Sequence, residues 1–241
     1  MNVAPTLIRA AQELAARVDR LRFKRPVAQV YNPLDYAWQP YAEYLRRYAR
    51  GRKRVVFLGM NPGPFGMTQV GVPFGEVGMV RDWLGIEAAV GKPPREHPKR
   101  PILGFACHRS EVSGRRLWGL FAGRFGRPER FFAEHLVVNY CPLTFLTASG
   151  ANLTPDKLSR TEQQRLFAIC DVHLRQVLAA LEPEWLVGIG GFARQRGAAC
   201  GAARQLKVGQ ILHPSPANPL ANRGWAPTVT RQLVTLGVWK P

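Results

Sequence analysis

The 241-residue chain predicts an α/β fold, a three-layer α/β/α sandwich around a mostly parallel central sheet. Two observations carry this expectation. Short apolar runs recur at residues 55–58, 135–140, 185–190 and 208–212, as strands buried on both faces require. Longer segments with helical spacing separate them, so strands and helices alternate in the manner of parallel β-α-β units. The length suits one sizeable core, with no repeat, linker or second domain, and residues 1–241 read as a single domain.

Residues 4–23 place Leu7, Ile8, Ala11, Leu14, Ala15, Val18 and Leu21 at helical spacing, with Arg9, Glu13, Arg17 and Arg20 outward. Tyr31-Asn32-Pro33-Leu34-Asp35-Tyr36 reads as a turn-rich segment before a helix over 40–50, which Gly51 ends. Gly51-Arg52-Lys53-Arg54 is a basic turn, either a solvated edge or a face for phosphate. The strand Val55-Val56-Phe57-Leu58 then breaks into a loop holding Gly59, Gly63, Gly66, Gly71 and Gly75, with Pro62, Pro64 and Pro73 between them. Such a loop is stiff at its prolines and open to close approach at its glycines. Ligands of open α/β sheets bind beyond the carboxyl ends of the strands. This loop therefore reads as one wall of a small-molecule or base pocket, with Asn61 at its lip and Phe74 as a flat apolar surface. A connection without a ligand is the alternative.

A short helix is expected over 79–84, followed by a solvated Pro-rich basic loop over 91–101 that contains His97. His97 and His108 have no carboxylate or cysteine at ligand spacing, so no metal is expected. A helix runs through Leu117-Trp118-Gly119-Leu120-Phe121, and Arg124, Arg127 and Arg130 follow it. Ser159-Arg160-Thr161-Glu162 fits a capping box that opens a helix to about Leu181, with His173 on one of its faces. Gly188-x-Gly190-x-x-Ala193 matches a dinucleotide fingerprint in form. No acidic residue follows about twenty positions on, where Gln210 sits, so tight strand-to-helix packing is the better account and no nicotinamide cofactor is expected. A closing helix spans 227–236.

The charge is strongly positive: 34 Lys and Arg against 16 Asp and Glu give +18. Such an excess attracts phosphate backbones with a salt-dependent affinity; an anionic membrane surface or plain solubility would use it equally well. No apolar run approaches the roughly 18–20 residues that cross a bilayer. Arg9, Glu13, Arg17 and Asp19 interrupt any leader-like apolar stretch. A cytosolic monomer is the expectation, beside the nucleoid in a bacterium or in the nucleus of a eukaryote. Cys107, Cys141, Cys170 and Cys200 lie roughly thirty residues apart without a C-x-x-C pair, a pattern of buried small hydrophobes rather than of a zinc ribbon or disulfides.

The glycine loop carries more than a pocket. GMNPGPFGM followed by GVPFGEV resembles the first motif of the single-strand-selective monofunctional uracil-DNA glycosylases, within the uracil-DNA glycosylase superfamily. Ile211-Leu212-His213-Pro214-Ser215-Pro216 is similar to the second motif, and Val137-Val138-Asn139-Tyr140-Cys141-Pro142-Leu143 to the base-reading strand. Ser110-Glu111-Val112-Ser113-Gly114 also matches the family pattern. The resemblance covers most of the chain, from about Tyr31-Asn32-Pro33 to Gly224-Trp225. It implies a uracil-DNA glycosylase-like fold, DNA as the partner and base excision without a cofactor. Some superfamily relatives hold an iron–sulfur cluster, but the four cysteines here lack ligand spacing near the chain start.

An enzyme acting on a base in DNA must extrude the nucleotide or take single-stranded substrate. The resemblance assigns stacking to Phe74 and edge reading to Asn139, whose amide can accept from uracil N3–H and donate to O4. Cytosine presents the opposite pattern and would leave buried groups unpaired. His213 is assigned the donor to O2, where negative charge develops, with the backbone N–H of Met60 assisting. Asn61 stands where the strongest superfamily members place an aspartate. An amide orients water but takes no proton, so the implied reaction is dissociative, with water capturing an oxocarbenium-like sugar. No lysine lies in the three motifs, so no lyase step is expected. The 5-position is read through a water at Gly63 and Met67, which implies acceptance of uracil and 5-hydroxymethyluracil and rejection of thymine. Residues 216–224 should enter the duplex, with Pro216, Ala217, Asn218, Leu220 and Arg223 as DNA contacts. Family members carry arginine where Ala217 stands; either extrusion from duplex DNA is weakened or Leu220 or Arg223 substitutes. Two rivals remain: a related glycosylase preferring deaminated purines such as hypoxanthine or xanthine, and a non-catalytic nucleic-acid-binding module.

Overall fold

The structure, a computed structural model, describes residues 2–202 and 205–241. In chain order it holds α1 (Ala4–Val18), β1 (Val27–Tyr31), α2 (Pro33–Tyr36), α3 (Trp38–Tyr48), β2 (Val55–Gly59) and α4 (Met67–Val70). A π-helical turn (Met79–Trp83) leads to α5 (Val112–Phe125), α6 (Pro128–Phe132), β3 (His135–Asn139), β4 (Thr144–Thr147) and β5 (Asn152–Leu153). There follow α7 (Arg160–Leu181), β6 (Trp185–Ile189), α8 (Gly191–Gly201), β7 (Lys207–Ile211), a 3-10 turn (Pro219–Arg223) and α9 (Trp225–Thr235).

Strands β3, β2, β6 and β7, in that order, form a parallel sheet, each within a residue of its expected bounds. Side chains alternate between its faces. Phe57, in register with Val187, points toward α5 and α6, where its ring centroid lies 5.1 Å from that of Phe121 and 6.2 Å from that of Phe131. Leu186, one residue out of phase, points the other way into α8; a side chain at Gly197 would collide with it. Helix α7 packs against both α8 and α1, completing three layers. The outer edge of β3 is closed by Tyr44 of α3, whose hydroxyl donates to the Val137 carbonyl at 2.9 Å and accepts its N–H at 3.3 Å.

A second sheet was not legible in the sequence. Strands β1, β4 and β5 pair antiparallel, with Tyr31 opposite Thr144 and Phe145 opposite Leu153. They are short, mix polar and apolar residues, and meet partners far along the chain. This sheet braces the glycine loop: Thr144 Oγ1 lies 2.5 Å from Thr68 Oγ1 on α4, and the Tyr36 hydroxyl donates to the Thr68 carbonyl at 2.6 Å.

Several local expectations are corrected. Helices α3 and α9 each begin two residues earlier than the prolines suggested, placing Pro40 and Pro227 at their third positions, where a first turn tolerates a missing N–H. The expected helix at 79–84 is π-helical, closed by Leu84 N–H donating to Met79 at 3.0 Å. The capping box is present as expected, with both reciprocal Ser159–Glu162 bonds. The basic turn is not simply a solvated edge. Lys53 is buried and donates to the Phe132 carbonyl, and desolvation lowers its pKa to about 8. Arg54 pairs with Glu134 at 3.0 Å and donates to the Val238 carbonyl at 2.8 Å, so this turn knits the amino end of the sheet. His97 is not solvated. Its backbone N–H donates to the Tyr31 hydroxyl at 2.6 Å and its Nδ1 accepts from Lys99 N–H at 3.1 Å, leaving Nε2–H for the Ala148 carbonyl at 3.2 Å. All four cysteines are free and buried.

Candidate active site

Strand register assembles the site. Gly59 ends β2 and pairs with Asn139 at the end of β3, while β7 ends at Ile211, just before His213. The chain leaves β2 toward β3 on one side and toward β6 and β7 on the other, a reversal that opens a crevice at the carboxyl ends. A cavity of about 590 Å³ lies there. Met60, Asn61, Gly63, Met67, Phe74, His213 and Pro216 line it, together with Phe65, Arg109, Glu111 and Ser215.

Gly59 is required by close approach: a Cβ there would strike both the Asn139 Oδ1 and the Phe74 ring. Phe74 adopts φ of 53°, a left-handed conformation costly for an aromatic residue and typical of sites that the surrounding structure holds in place. The holding groups are visible. Gly114 of α5 leaves no room for a side chain against the Phe74 carbonyl, and Trp118 Nε1 donates to the Pro73 carbonyl at 3.2 Å. The Phe74 ring centroid stands 6.3 Å from that of His213, tilted by 46°.

Asn139 does not itself line the cavity; it abuts Met67, which does. Its Nδ2 donates only to the Met67 sulfur at 3.2 Å, and its Oδ1 is buried without a partner among the described residues. A buried acceptor left without any partner costs about 1–3 kcal/mol. Asn61 is oriented by its surroundings. Its Nδ2 faces two carbonyls, Leu143 at 3.1 Å and Pro62 at 3.3 Å, and its Oδ1 accepts nothing among the described residues. The Met60 carbonyl accepts from Cys141 N–H at 2.9 Å, while its own N–H has no backbone partner among the described residues.

His213 is fixed in one tautomer. Ser215 N–H donates to Nδ1 at 3.1 Å, so the proton of the neutral ring sits on Nε2 as a donor. Burial pushes its pKa down, favouring that neutral form. Helix α9 steadies the strand end: Trp225 Nε1 donates to the Leu212 carbonyl at 2.8 Å and Gln232 accepts Leu212 N–H at 2.9 Å.

The model of the uracil DNA glycosylase superfamily matches residues 46–229, which contain every cavity-lining residue named above. The chain is 48% identical over 239 residues to the single-strand selective monofunctional uracil-DNA glycosylase of Rattus norvegicus, covering 98% of this chain and 86% of that protein. It is 47% identical to the Mus musculus protein of that description, with the same coverage, and 45% identical to that of Bos taurus. The chain belongs to the single-strand-selective monofunctional uracil-DNA glycosylase family. The crystal structure of wild-type Pedobacter heparinus SMUG2 superposes with a TM-score of 0.66 over 95% of this chain and 97% of that one; at 15% identity it shows the shared fold.

Two residues around the cavity had no role assigned from the sequence, although Glu111 lies within a stretch that matches the family pattern. Glu111 packs under the loop: a Cβ on Gly63 would lie 2.6 Å from its Oε2, and one on Gly66 3.0 Å from its Cγ. Desolvation raises the Glu111 pKa, opposed by backbone N–H groups of Ser113 and Phe65 and by the Arg109 charge. Arg116 of α5 donates to the Pro214 carbonyl and to Asn222 Oδ1, both at 2.9 Å, and Asn222 Nδ2 donates to the Pro216 carbonyl at 2.9 Å. It thereby clamps both sides of the predicted insertion segment, although an arginine in an amphipathic helix reads as solvated. On that segment Ala217, Leu220 and Arg223 are exposed outside the cavity, Leu220 by 61%. Asn218 caps the 3-10 turn by accepting Leu220 N–H at 3.1 Å. Among the described residues no group of three or more His, Cys, Asp or Glu side chains is placed to hold a metal.

Proposed function

We propose that the chain is a monofunctional uracil-DNA glycosylase of base-excision repair, acting on an extruded or single-stranded nucleotide. One observation carries the reading: Asn61, Asn139 and His213 each have one polar atom tied to the protein and another without a partner among the described residues, at the same end of the sheet. Mere binding of the phosphate backbone needs none of these three groups.

Uracil stacks on Phe74, and Met67, which stands between Asn139 and the cavity, shifts so that N3–H donates to Asn139 Oδ1 and O4 accepts from Nδ2 in place of the weak thioether partner. His213 Nε2–H and Met60 N–H point toward O2. As the C1′–N1 bond lengthens, its electron pair moves into the uracil ring and O2 gains negative charge, which these donors stabilise. A water accepted by Asn61 Oδ1 adds to C1′ of the oxocarbenium-like sugar. It loses its proton to solvent while the uracil anion is neutralised. Asn61 positions this water and takes no proton, and among the described residues no lysine lines the cavity to form a Schiff base.

Gly63 and Met67 border the 5-position of the base, so uracil and 5-hydroxymethyluracil are accepted and thymine is refused. In duplex DNA, Leu220 fills the space of the extruded nucleotide, because Ala217 is too small. The test is release of free base, in EDTA, from oligonucleotides carrying uracil, 5-hydroxymethyluracil, thymine or hypoxanthine. Release from the first two alone is expected. Release of hypoxanthine in preference to uracil would overturn the substrate assignment.

A further inference from the structure

Arg100 and Arg109 are cations that the mechanism above does not use. Both guanidinium groups lie over the ring of Phe65, at 5.3 and 4.1 Å from its centroid. Phe65 and Arg109 line the cavity mouth. Neither arginine is ion-paired with a carboxylate among the described residues. Glu111 feels the Arg109 charge without forming a pair. Arg100 Nε is buried and unpartnered. Two like charges on one aromatic ring repel each other, and an anion bound between them would relieve that repulsion.

The platform is rigid. The buried Gln69 side chain donates to the Pro64 carbonyl at 3.2 Å and the Pro101 carbonyl at 3.1 Å, and accepts Leu103 N–H at 2.8 Å. It thus bolts the loop bearing Arg100 to the loop bearing Asn61 and Gly63. A guanidinium stacked by its face keeps edge N–H groups for phosphate oxygens; Arg100 spends Nη1 on the Lys99 carbonyl at 2.9 Å and offers Nη2, while the Arg109 side chain donates no hydrogen bond among the described residues. We infer that Arg100 and Arg109, arrayed on Phe65, form a phosphodiester-binding site for the DNA strand that delivers its nucleotide to the cavity. The inference rests on the glycosylase reading and gives that strand an anchor across the mouth from Ser215 and Pro216.

The test is the salt dependence of binding to a single-stranded oligonucleotide carrying one 2′-fluorinated deoxyuridine, a nucleotide that resists hydrolysis. Wild type, Arg100→Gln, Arg109→Gln and the double variant are compared with Arg52→Gln, an exposed arginine before the amino end of β2. Each phosphate contact contributes about 0.7 to the slope of log K against log salt on single strands. Each site variant should lose about that much slope and bind about fivefold more weakly at 0.1 M salt, the double variant about twice the slope loss, and Arg52→Gln nothing. Unchanged slopes in both single variants, or an equal loss in Arg52→Gln, would overturn the site. Base release by wild type from ordinary uracil oligonucleotides is followed in parallel. Its absence together with reduced slopes would leave the phosphate site standing and remove the glycosylase reading.

Discussion

Protonation of His213 should switch the site off. Its Nδ1 already accepts Ser215 N–H at 3.1 Å, so a second ring proton would set two donors against each other and break the loop that presents the imidazole. Burial lowers the pKa in the same sense, so the neutral Nε2–H donor persists below pH 6.5. The single-turnover rate of uracil release should therefore be flat from pH 6.5 upward and fall only as the pH drops through the lowered pKa. Removing the donor altogether, as in His213→Leu, loses about 2.7–4 kcal/mol of transition-state stabilisation, or about 100- to 1000-fold in rate. Ser215→Pro removes the N–H but keeps the imidazole. It should cost about tenfold and raise the acidic inflection toward 6.5, because the neutral tautomer loses its lock. A rate that climbs as the pH falls below 6.5 would show that the cationic ring is the working form and refute this reasoning.

Gly63→Tyr should be inactive on uracil, since even its Cβ would press on Glu111 at 2.6 Å; full retention of base release would remove Gly63 from the pocket. Leu220→Ala should slow excision from duplex DNA with little change on single strands, and Ala217→Arg should raise the duplex rate; an unchanged ratio in both would exclude this segment as the wedge. For Lys53, the folded pKa of about 8 lies below the ordinary 10.5, so wild type loses stability as the pH falls from 10.5 to 8. Lys53→Met should lack that loss of about 3 kcal/mol, read as urea midpoints across this range; parallel curves would contradict it. His173 is buried with its pKa lowered to about 4, so its contribution is present above pH 6.5 and lost on descent to pH 4. His173→Leu should remove about 3 kcal/mol of that acid sensitivity, checked in the same denaturation series.

The sequence was most legible where one residue type answers one local demand. Apolar runs such as Val55-Val56-Phe57-Leu58 have few alternatives to a strand buried on both faces. Ser159 and Glu162 satisfy each other's backbone within one turn. The motif residues were named through the family resemblance; the structure adds that Asn61, Asn139 and His213 all follow or end strands at the same end of the sheet. Contacts between distant polar groups were not legible. The bonds of Arg116 to Pro214 and Asn222, of Gln69 to Pro101, and of His97 to Tyr31 leave no periodic trace. Lys53 read as solvated because its neighbours Arg52 and Arg54 are charged, yet the Phe132 carbonyl draws it inward. Strands β1 and β4 escaped notice because Val27-Ala28-Gln29-Val30-Tyr31 alternates poorly and its partner lies far along the chain.

The most direct test of the account is single-turnover release of uracil from a single-stranded oligonucleotide in EDTA, with wild type and Asn61→Ala side by side. Cofactor-free release by wild type, reduced at least a hundredfold (~10²) in the variant while DNA affinity is kept, is the predicted result. Equal release by both proteins would contradict the role of Asn61 in positioning water, and no release by either would contradict the glycosylase assignment itself.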